Sequence, residues 1–340
     1  MLTNVFAFFI ALITSIILIP VIRKLALQQG FVDQPGPRKV HVAPMPVLGG
    51  LAIHTAAVLS IVLFIKGNAP SQTIAILGGA TLLASMGILD DAGKLHHQVK
   101  FQLGMPLAGI ILIASGIHSS LFPIPLLDYG ITLVWVIGIV CAFNLLDNMD
   151  GLCAGVASIA SVFFLLFAAL NGQYLVSTLA AAVLGAAVGF LYYNFNPARI
   201  FMGDGGALFL GFMMATLGIK LRFPDLPQAT SWMIPVLILG VPIFDTTLVT
   251  ISRIRRGLVP FKSPGKDHLS HRLANLGYSH PQVALLHYGL GLVLGLLALL
   301  VTQLGTLQAY GLAGVLTFLG AVGIGWLERL PFERQGPSKR

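Results

Sequence analysis

The sequence predicts an all-α integral membrane protein that crosses the bilayer about eleven times, with ten crossings as the alternative count. Three observations support this fold class. Of the 340 residues, 56% are hydrophobic, while Asp, Glu, Lys and Arg together make up only 9%, compared with about 25% in soluble domains. Apolar runs recur along the whole chain, and each approaches the roughly 20 residues that a helix needs to cross the hydrocarbon core. Short polar segments separate these runs.

The apolar runs give the predicted helices in chain order. The first run lacks the basic start and the small-residue cleavage site of a signal peptide, and it is long enough to span the bilayer. The predicted spans are residues 2–22, 47–65, 72–89, 101–117, 130–146, 152–170, 174–193, 206–221, 231–251, 282–302 and 308–327. Cys141 and Cys153 lie in or beside these runs, so we expect packing roles for both and no disulfide framework. We predict one integral-membrane domain over residues 1–340.

Eleven crossings place the two termini on opposite sides, and the distribution of Lys and Arg indicates which side is cytoplasmic. With the C-terminus inside, only Lys66, Lys220 and Arg222 of the 20 basic residues lie outside. We therefore predict a multi-pass protein of the inner (plasma) membrane with its N-terminus outside and its C-terminus in the cytoplasm. A site can be built where polar connections leave the hydrocarbon. The candidate cytoplasmic loops are about 23–46, 90–100, 147–151, 194–205 and 252–281.

The net charge of +8 raises the question of nucleic acid binding. The sequence shows no Lys/Arg block with interleaved aromatic residues, and basic excess in a membrane protein reports topology and attraction to anionic headgroups. We expect the lipid bilayer, and no nucleic acid, as the charged partner.

Aspartates at the ends of apolar runs carry the strongest indication of function. Asp90 and Asp91 end the third run, Asp147 and Asp150 follow the fifth, and Asp204 follows the seventh. Steps of 57 residues separate Asp90, Asp147 and Asp204, which is about two crossings with their turns, so we expect all three groups at one membrane face. Gathered carboxylates repel one another unless a cation or a proton compensates. Magnesium prefers oxygen ligands and is typically held by one or two carboxylates plus substrate phosphates.

The loop after the ninth run is basic and contains two histidines. His268 and His271 are three residues apart and share one face of a helix, with Arg272 beside them. Two imidazoles at this spacing could bind zinc, but the surrounding cations fit an anionic phosphate better. A solvated loop that only sets topology is the alternative. Asp245 lies inside the ninth run. It is either a functional candidate or a partner in a helix-to-helix hydrogen bond.

Four motifs together, GILDD, NLLDNMDG, NFNPARIFMGDGG and KDHLSHRL, resemble those of the polyprenyl-phosphate N-acetylhexosamine-1-phosphate transferases, glycosyltransferase family 4. The likeness includes the early loop VDQPGPRKVHVAPMPVLGG and covers nearly the whole chain. It implies transfer of a sugar 1-phosphate, in first place GlcNAc-1-phosphate, from a UDP-N-acetylhexosamine to undecaprenyl phosphate with release of UMP. Such a reaction is the first membrane step of cell-envelope glycan synthesis, as in lipopolysaccharide or teichoic acid. The family uses Mg2+ or Mn2+, and a homodimer is among the options.

The resemblance also implies roles for individual residues. The implied catalytic residues are Asp90, Asp91, Asp147, Asp150 and His268. The implied substrate-binding residues are Lys100, Asn144, Asn194, Phe201, His271, Arg272, Lys39 and His41, with Phe201 near the uracil and Lys100 near the phosphates. The implied metal ligands are Asp204 and Asp147. The sequence departs from the common family pattern at Asn148, usually Gly, at Ser270, usually His, and at Val47, often Arg. Ser270 puts in doubt any mechanism that needs three imidazoles.

Several alternatives stay open from the sequence. The donor is GlcNAc-like in the first interpretation, with UDP-MurNAc-pentapeptide or a modified UDP-N-acetylhexosamine as alternatives. A lipid phosphate has a second pKa near 6 and is largely a dianion at neutral pH, which favours direct attack over an aspartyl intermediate. An ion-coupled transporter is the competing class, and it predicts acids near mid-helix, whereas these acids lie at helix ends.

Overall fold

The computed structural model describes residues 2–34, 44–65, 70–260 and 265–330. Most of these residues are helical, as predicted. The helices are α1 (Leu2–Gln29), α2 (Gly49–Phe64), α3 (Pro70–Asp91), α4 (His97–Val99), a π-helical turn (Lys100–Gly104), α5 (Met105–Ala114), α6 (Pro125–Leu146), α7 (Leu152–Leu170), α8 (Tyr174–Asn194), α9 (Gly203–Lys220), α10 (Gln228–Ser231), α11 (Met233–Ile238), α12 (Gly240–Arg255), α13 (Leu269–Asn275), α14 (His280–Val301) and α15 (Thr306–Leu327). The predicted ligands Lys39 and His41, and the outer residue Lys66, lie outside the described residues.

Each of the eleven apolar windows contains a helix. Seven of the described helices are long and apolar enough to cross a membrane, or eight if a bent pair is counted as one span. The prediction of a helical, multi-pass membrane protein is therefore supported, while the count of eleven and the orientation of the termini stay predictions. The windows over α2 and over α5 with its π-helical turn correspond to shorter apolar helices.

The ninth window is a broken helix rather than a straight one. A bend of 77° separates Gln228–Ile238 from Gly240–Arg255. Pro242 has no N–H to donate to the carbonyl of Ile238 four residues earlier, so the helical hydrogen bonds cannot continue through this point. Gly240 lowers the helix propensity at the same place.

The chain divides into two compact units, residues Met1–Asp225 and Leu226–Arg340. The prediction of one transferase domain over the whole chain stays a prediction. Unit 1 packs α1 against α8, α7 against α8, and α3 and α6 against α9. Unit 2 packs α11 and α12 against α14, and it contains α13 and α15.

Glycines allow three helices of unit 1 to approach closely at one end. A Cβ on Gly50 of α2 would collide with the backbone of Gly206 in α9. A Cβ on Gly87 of α3 would collide with the backbone of Gly205 and Asp204. These contacts bring the end of α3 and the start of α9 together, where the sequence places Asp90, Asp91 and Asp204.

Within the described residues, two short strands depart from an all-α fold. Strands β1 (Val32–Asp33) and β2 (Met45–Pro46) pair antiparallel. The backbone N–H of Phe201 donates to Pro46 at 2.8 Å, and that of Gly49 donates to Phe201 at 3.0 Å. The ribbon thus joins the early polar loop to the segment that precedes α9.

Candidate active site

A cavity of about 380 Å³ in unit 1 collects most of the carboxylates that the sequence singled out. Its lining residues, called the acidic cavity here, are Phe31, Val32, Asp33, Val47, Asp91, Asp147, Asn148, Met149, Asp150, Asn194, Phe201, Met202, Gly203 and Asp204. The predicted convergence of three separate aspartate groups is therefore observed in unit 1.

Helix ends place these carboxylates at the cavity. Asp91 is the last residue of α3, Asp147 caps the C-terminus of α6, and Asp204 lies in the first turn of α9. Gly151 starts α7 with φ of 73°, and Gly203 starts α9 with φ of 73°. Both angles lie in the left-handed region that a side chain with a Cβ disfavours. Gly203 also faces the Asp91 carboxylate, where a Cβ would come within 2.5 Å of Oδ2.

Asp204 is the centre of a hydrogen-bonded network. Its Oδ2 pairs with the ammonium of Lys100, and its Oδ1 accepts from Asn144 Nδ2 at 2.8 Å. The same ammonium lies 2.6 Å from Asp90 Oδ2. Lys100 was predicted to bind phosphate; in this structure it is the counter-ion that joins Asp90 to Asp204. It begins the π-helical turn, a feature that is frequent at functional sites.

Asp91 differs from its neighbour Asp90 in what it contacts. Its two oxygens accept the backbone N–H groups of Asp204 and Gly205, at 3.1 and 3.3 Å. These are N–H groups of the first turn of α9, which have no partner within the helix. Asp91 thus caps α9 and holds Asp204 in position, and a negative charge at a helix N-terminus is stabilising.

Asp150 and Asn194 fasten the segment before α9. Asp150 Oδ2 accepts from Asn196 Nδ2 and from the Ala198 backbone, both at 3.0 Å. Asn194 accepts from the Gly151 backbone at 3.0 Å and donates to the carbonyl of Ile200 at 2.9 Å. Both side chains therefore shape the acidic cavity, and their predicted roles toward substrate stay predictions.

Asp147 experiences the surplus of negative charge. Burial, followed by the charges of Asp204, Asp91 and Asp150, raises the pKa of this carboxyl to about 8. The acidic cavity is thus a place where an added cation would relieve repulsion between carboxylates.

Asp33 also lines the cavity, together with Phe31 and Val32. Sequence reasoning assigned no role to Asp33. The sequence contains little indication of a role for Asp33, because a single Asp in a long polar loop does not predict a two-stranded ribbon that places it at the cavity.

Unit 2 contains the second group of predicted residues. We call Asp245, Arg253, Arg256, Asp267, His268 and His271 the His cluster. His268 Nδ1 lies 2.8 Å from Asp245 Oδ2, and the rings of His268 and His271 are 6.1 Å apart. Sequence reasoning left Asp245 open between function and helix-to-helix bonding, and the structure shows a bond from α12 to the loop before α13.

Charges in the His cluster are closely paired. Asp267 Oδ2 and Oδ1 accept from Arg253 Nε and Nη2 at 3.0 and 2.9 Å, and Asp267 also pairs with Arg256. These hydrogen bonds outweigh burial and lower the pKa of Asp267 to about 2. Burial first, then the neighbouring His268 and Lys266, lower the pKa of His271 to about 4.

Arg272 was predicted to bind substrate, but the structure buries it completely. Its guanidinium donates to Ser252 Oγ at 3.0 Å, to Glu328 Oε1 at 2.6 Å and to the carbonyls of Asp267 and Leu327. In this structure Arg272 ties α13 to the ends of α12 and α15. Its predicted contact with substrate stays a prediction.

Within the part of the chain that the structure describes, no group of three or more His, Cys, Asp or Glu side chains is arranged to hold a metal ion. The acidic cavity offers instead hard oxygen donors from separate helix ends. This donor set suits Mg2+, which takes only one or two carboxylates from the protein and completes its shell with water and substrate phosphates.

One comparison with known proteins covers the segment that contributes most of the residues lining the acidic cavity. The family model of glycosyl transferase family 4 matches residues 73–222, which include all the aspartates from Asp90 to Asp204.

Curated relatives cover more of the chain. A protein of Bacillus subtilis described as a probable undecaprenyl-phosphate N-acetylglucosaminyl 1-phosphate transferase is 38% identical over 308 residues, 88% of this chain and 85% of its own length. A decaprenyl-phosphate N-acetylglucosaminephosphotransferase of Mycobacterium tuberculosis is 31% identical over 305 residues, 78% of this chain and 74% of its own length. A phospho-N-acetylmuramoyl-pentapeptide-transferase of Bacillus thuringiensis is 30% identical over 322 residues, 86% of this chain and 94% of its own length.

Proposed function

Because the chain belongs to glycosyl transferase family 4, we propose that it transfers a sugar 1-phosphate from a UDP-sugar to a polyprenyl phosphate and releases UMP. GlcNAc-1-phosphate is the group that we propose is transferred, and undecaprenyl phosphate is the acceptor. One observation of the structure supports this chemistry most directly. Carboxylates from the ends of α3 and α6 and the start of α9 line a single cavity.

The reaction must bring two anions together, because both the lipid phosphate and the UDP-sugar are negatively charged. The acceptor needs little activation, since a phosphate with a second pKa near 6 is largely dianionic at neutral pH. Positioning and charge compensation should therefore dominate the rate. We propose direct attack by the lipid phosphate, with Asp90 or Asp91 orienting it or accepting its residual proton.

Lys100 is the cation of unit 1 best placed to change partners during the reaction. It bridges Asp90 and Asp204 in this structure. A phosphate that enters the acidic cavity would compete with these carboxylates for the ammonium, and a mobile positive charge of this kind stabilises phosphoryl transfer.

A divalent cation fits the acidic cavity. Asp204 and Asp147 would hold it, since both line the cavity and Asp147 faces three other carboxylates. When bound, Mg2+, or Mn2+ as the alternative, would neutralise charge on the diphosphate of the UDP-sugar. Asn144 would keep Asp204 oriented through its 2.8 Å hydrogen bond.

We place the protein in the inner (plasma) membrane with about eleven crossings, the N-terminus outside and the acidic cavity at the cytoplasmic face. The distribution of Lys and Arg supports this orientation. It also gives the cavity access to a cytoplasmic UDP-sugar. A homodimer is compatible with this arrangement.

The donor is tested with purified protein, undecaprenyl phosphate and a panel of UDP-sugars that includes UDP-GlcNAc and UDP-MurNAc-pentapeptide. We expect UMP release with UDP-GlcNAc, and only when Mg2+ or Mn2+ is present. UMP release from UDP-MurNAc-pentapeptide and from no other donor would reassign the donor. If none of the UDP-sugars in the panel released UMP, the proposed function would be contradicted.

Exchange of labelled UMP into UDP-GlcNAc without lipid acceptor separates the two mechanisms. Direct attack predicts no exchange under these conditions. Robust exchange would indicate a covalent enzyme intermediate and would overturn direct attack.

A further inference from the structure

A buried carboxylate in α12 holds the first histidine of the His cluster. Asp245 is 1% exposed and His268 is 4% exposed. Asp245 Oδ2 lies 2.8 Å from His268 Nδ1, and Asp245 Oδ1 accepts from the Leu269 backbone at 2.7 Å. We propose that Asp245 is a positioning residue that fixes the imidazole of His268 for phosphate transfer. This inference rests on the proposed function and on the catalytic role that the family resemblance implies for His268.

The contact selects one protonation form of the ring. An ionised carboxylate only accepts hydrogen bonds, so the Nδ1 atom of His268 carries the proton in this pair. The Nε2 atom is left to accept a proton, and a protonated Nε2 can donate to a phosphate oxygen. Asp245 would also stabilise the imidazolium that forms at that moment. A carboxylate that sets the tautomer of a functional imidazole is a common device in hydrolases and metal sites.

Asp245 is not alone in holding the loop before α13, to which it contributes the hydrogen bond from the Leu269 backbone. Asp267 is already paired with Arg253 in the last turn of α12 and with Arg256 directly after that helix. Arg272 fastens α13 to Ser252 and Glu328. With the backbone on both sides of His268 anchored in this way, the bond from Asp245 adds control of the ring.

The free-energy cost of burying the Asp245 carboxylate supports a functional reason for its presence. An ionisable side chain inside an apolar helix costs several kcal/mol unless it is well paired. A serine or an apolar residue at position 245 would pack more cheaply. The Asp245 carboxylate contacts the imidazole of His268 and the backbone N–H of Leu269 beside it.

A double-mutant cycle tests whether Asp245 acts through His268. UMP release from UDP-GlcNAc and undecaprenyl phosphate is measured for D245N, H268Q and the double variant. We expect D245N to lower kcat about 10- to 100-fold, as is typical when the partner of a functional histidine is removed, with KM for UDP-GlcNAc little changed. The kcat of the double variant should lie within about twofold of that of H268Q alone, because Asp245 acts through His268. Effects that multiply would overturn the proposal.

Asp128 supplies a matched control. It is a second buried carboxylate, 4% exposed, and it accepts from Ser119 Oγ at 2.9 Å and from the Leu121 backbone at 2.8 Å at the start of α6. D128N should lower the midpoint of thermal unfolding while leaving kcat unchanged. A fall in kcat equal to that of D245N would show that loss of any buried carboxylate suffices, and it would also overturn the proposal.

The spectrum of the unsubstituted protein provides a test that is independent of catalysis and of variant folding. In protein labelled with 15N-histidine, the His268 signals are assigned by their loss in H268Q. We expect a protonated Nδ1 and, in the neutral ring, an unprotonated Nε2. A ring protonated only at Nε2 would refute the contact. If the protein shows this tautomer but releases no UMP from any UDP-sugar, the proposed function fails while the pairing stands.

Discussion

The acidic cavity of unit 1 and the His cluster of unit 2 treat charge in opposite ways. In the acidic cavity, Asp91, Asp147, Asp150 and Asp204 crowd together, and Lys100 is the cation that Asp90 and Asp204 share. In the His cluster, two arginines pair with the single carboxylate of Asp267.

The difference is between a group of carboxylates with little positive charge to balance it and a group whose charges are paired. Surplus negative charge in the acidic cavity destabilises the protein by itself, but it creates affinity for a cation and for the phosphates that the cation carries. The paired charges of the His cluster give rigidity instead. Removing a carboxylate should therefore have different effects in the two regions.

The substitution D204N should have the largest effect. We expect turnover to fall by at least about 10³-fold, because a metal ion supplies several kcal/mol of charge stabilisation in such reactions. The midpoint of thermal unfolding should change little, since the substitution relieves repulsion and leaves Lys100 paired with Asp90. UMP release and thermal unfolding in detergent measure the two effects. Retained turnover would refute Asp204 as a metal ligand.

The substitution D267N should have the opposite profile. Asp267 is 1% exposed and pairs with two arginines, and removing one partner of a buried ion pair typically costs about 3–5 kcal/mol. We expect a clear fall in the midpoint of thermal unfolding. The exposed Asp225 supplies the control, since D225N should leave that midpoint unchanged. Equal stabilities for D267N and D225N would contradict the contrast between the two regions.

The substitution G87A should have an intermediate effect, and it tests the geometry of the acidic cavity. A Cβ at this position would collide with the backbone of Gly205 and Asp204, so we expect a loss of about 1–3 kcal/mol and reduced turnover as α9 shifts. Gly78, on the same helix, has open space around its Cβ position. G78A should be neutral or stabilising by up to about 1 kcal/mol. Equal changes in stability for G87A and G78A would mean that α3 and α9 are not in close contact.

The substitution H271Q should have the smallest effect on stability, and this effect appears only in acid. The pKa of His271 is about 4 in the folded protein, below the ordinary value of 6.5. The unfolded chain therefore takes up a proton first as the pH falls, so the folded state loses stability between about pH 6.5 and pH 4 and none above that range.

H271Q removes this loss. Its thermal midpoint should decline less than that of the unsubstituted protein over the same range, with a difference of about 2 °C expected at pH 4.5. Parallel declines would show that His271 titrates normally.

The sequence was sufficient to predict the parts of this protein that depend on local pattern. Apolar run lengths predicted where the helices lie, and the steps of 57 residues between Asp90, Asp147 and Asp204 predicted that the three aspartate groups would meet. Pattern could not show which partners each side chain would choose. Lys100 binds carboxylates in this structure, and Arg272 is enclosed by Ser252, Glu328 and backbone carbonyls.

Long-range geometry also lay beyond the sequence. Asp33 reaches the acidic cavity through a ribbon whose two strands come from opposite ends of a polar loop. The bend before α12 depends on Pro242 within an otherwise apolar run. A hydropathy window averages over such a residue, so the ninth span was predicted as continuous.

The doublet at the end of α3 has a consequence for how such motifs are interpreted. Consecutive residues on an α-helix point about 100° apart, so the carboxylates of Asp90 and Asp91 face different groups. One meets the ammonium of Lys100, and the other meets the amides that open α9. The two adjacent aspartates are therefore not interchangeable. Exchanging either for asparagine should produce a distinct defect, one in charge balance and one in the alignment of α9.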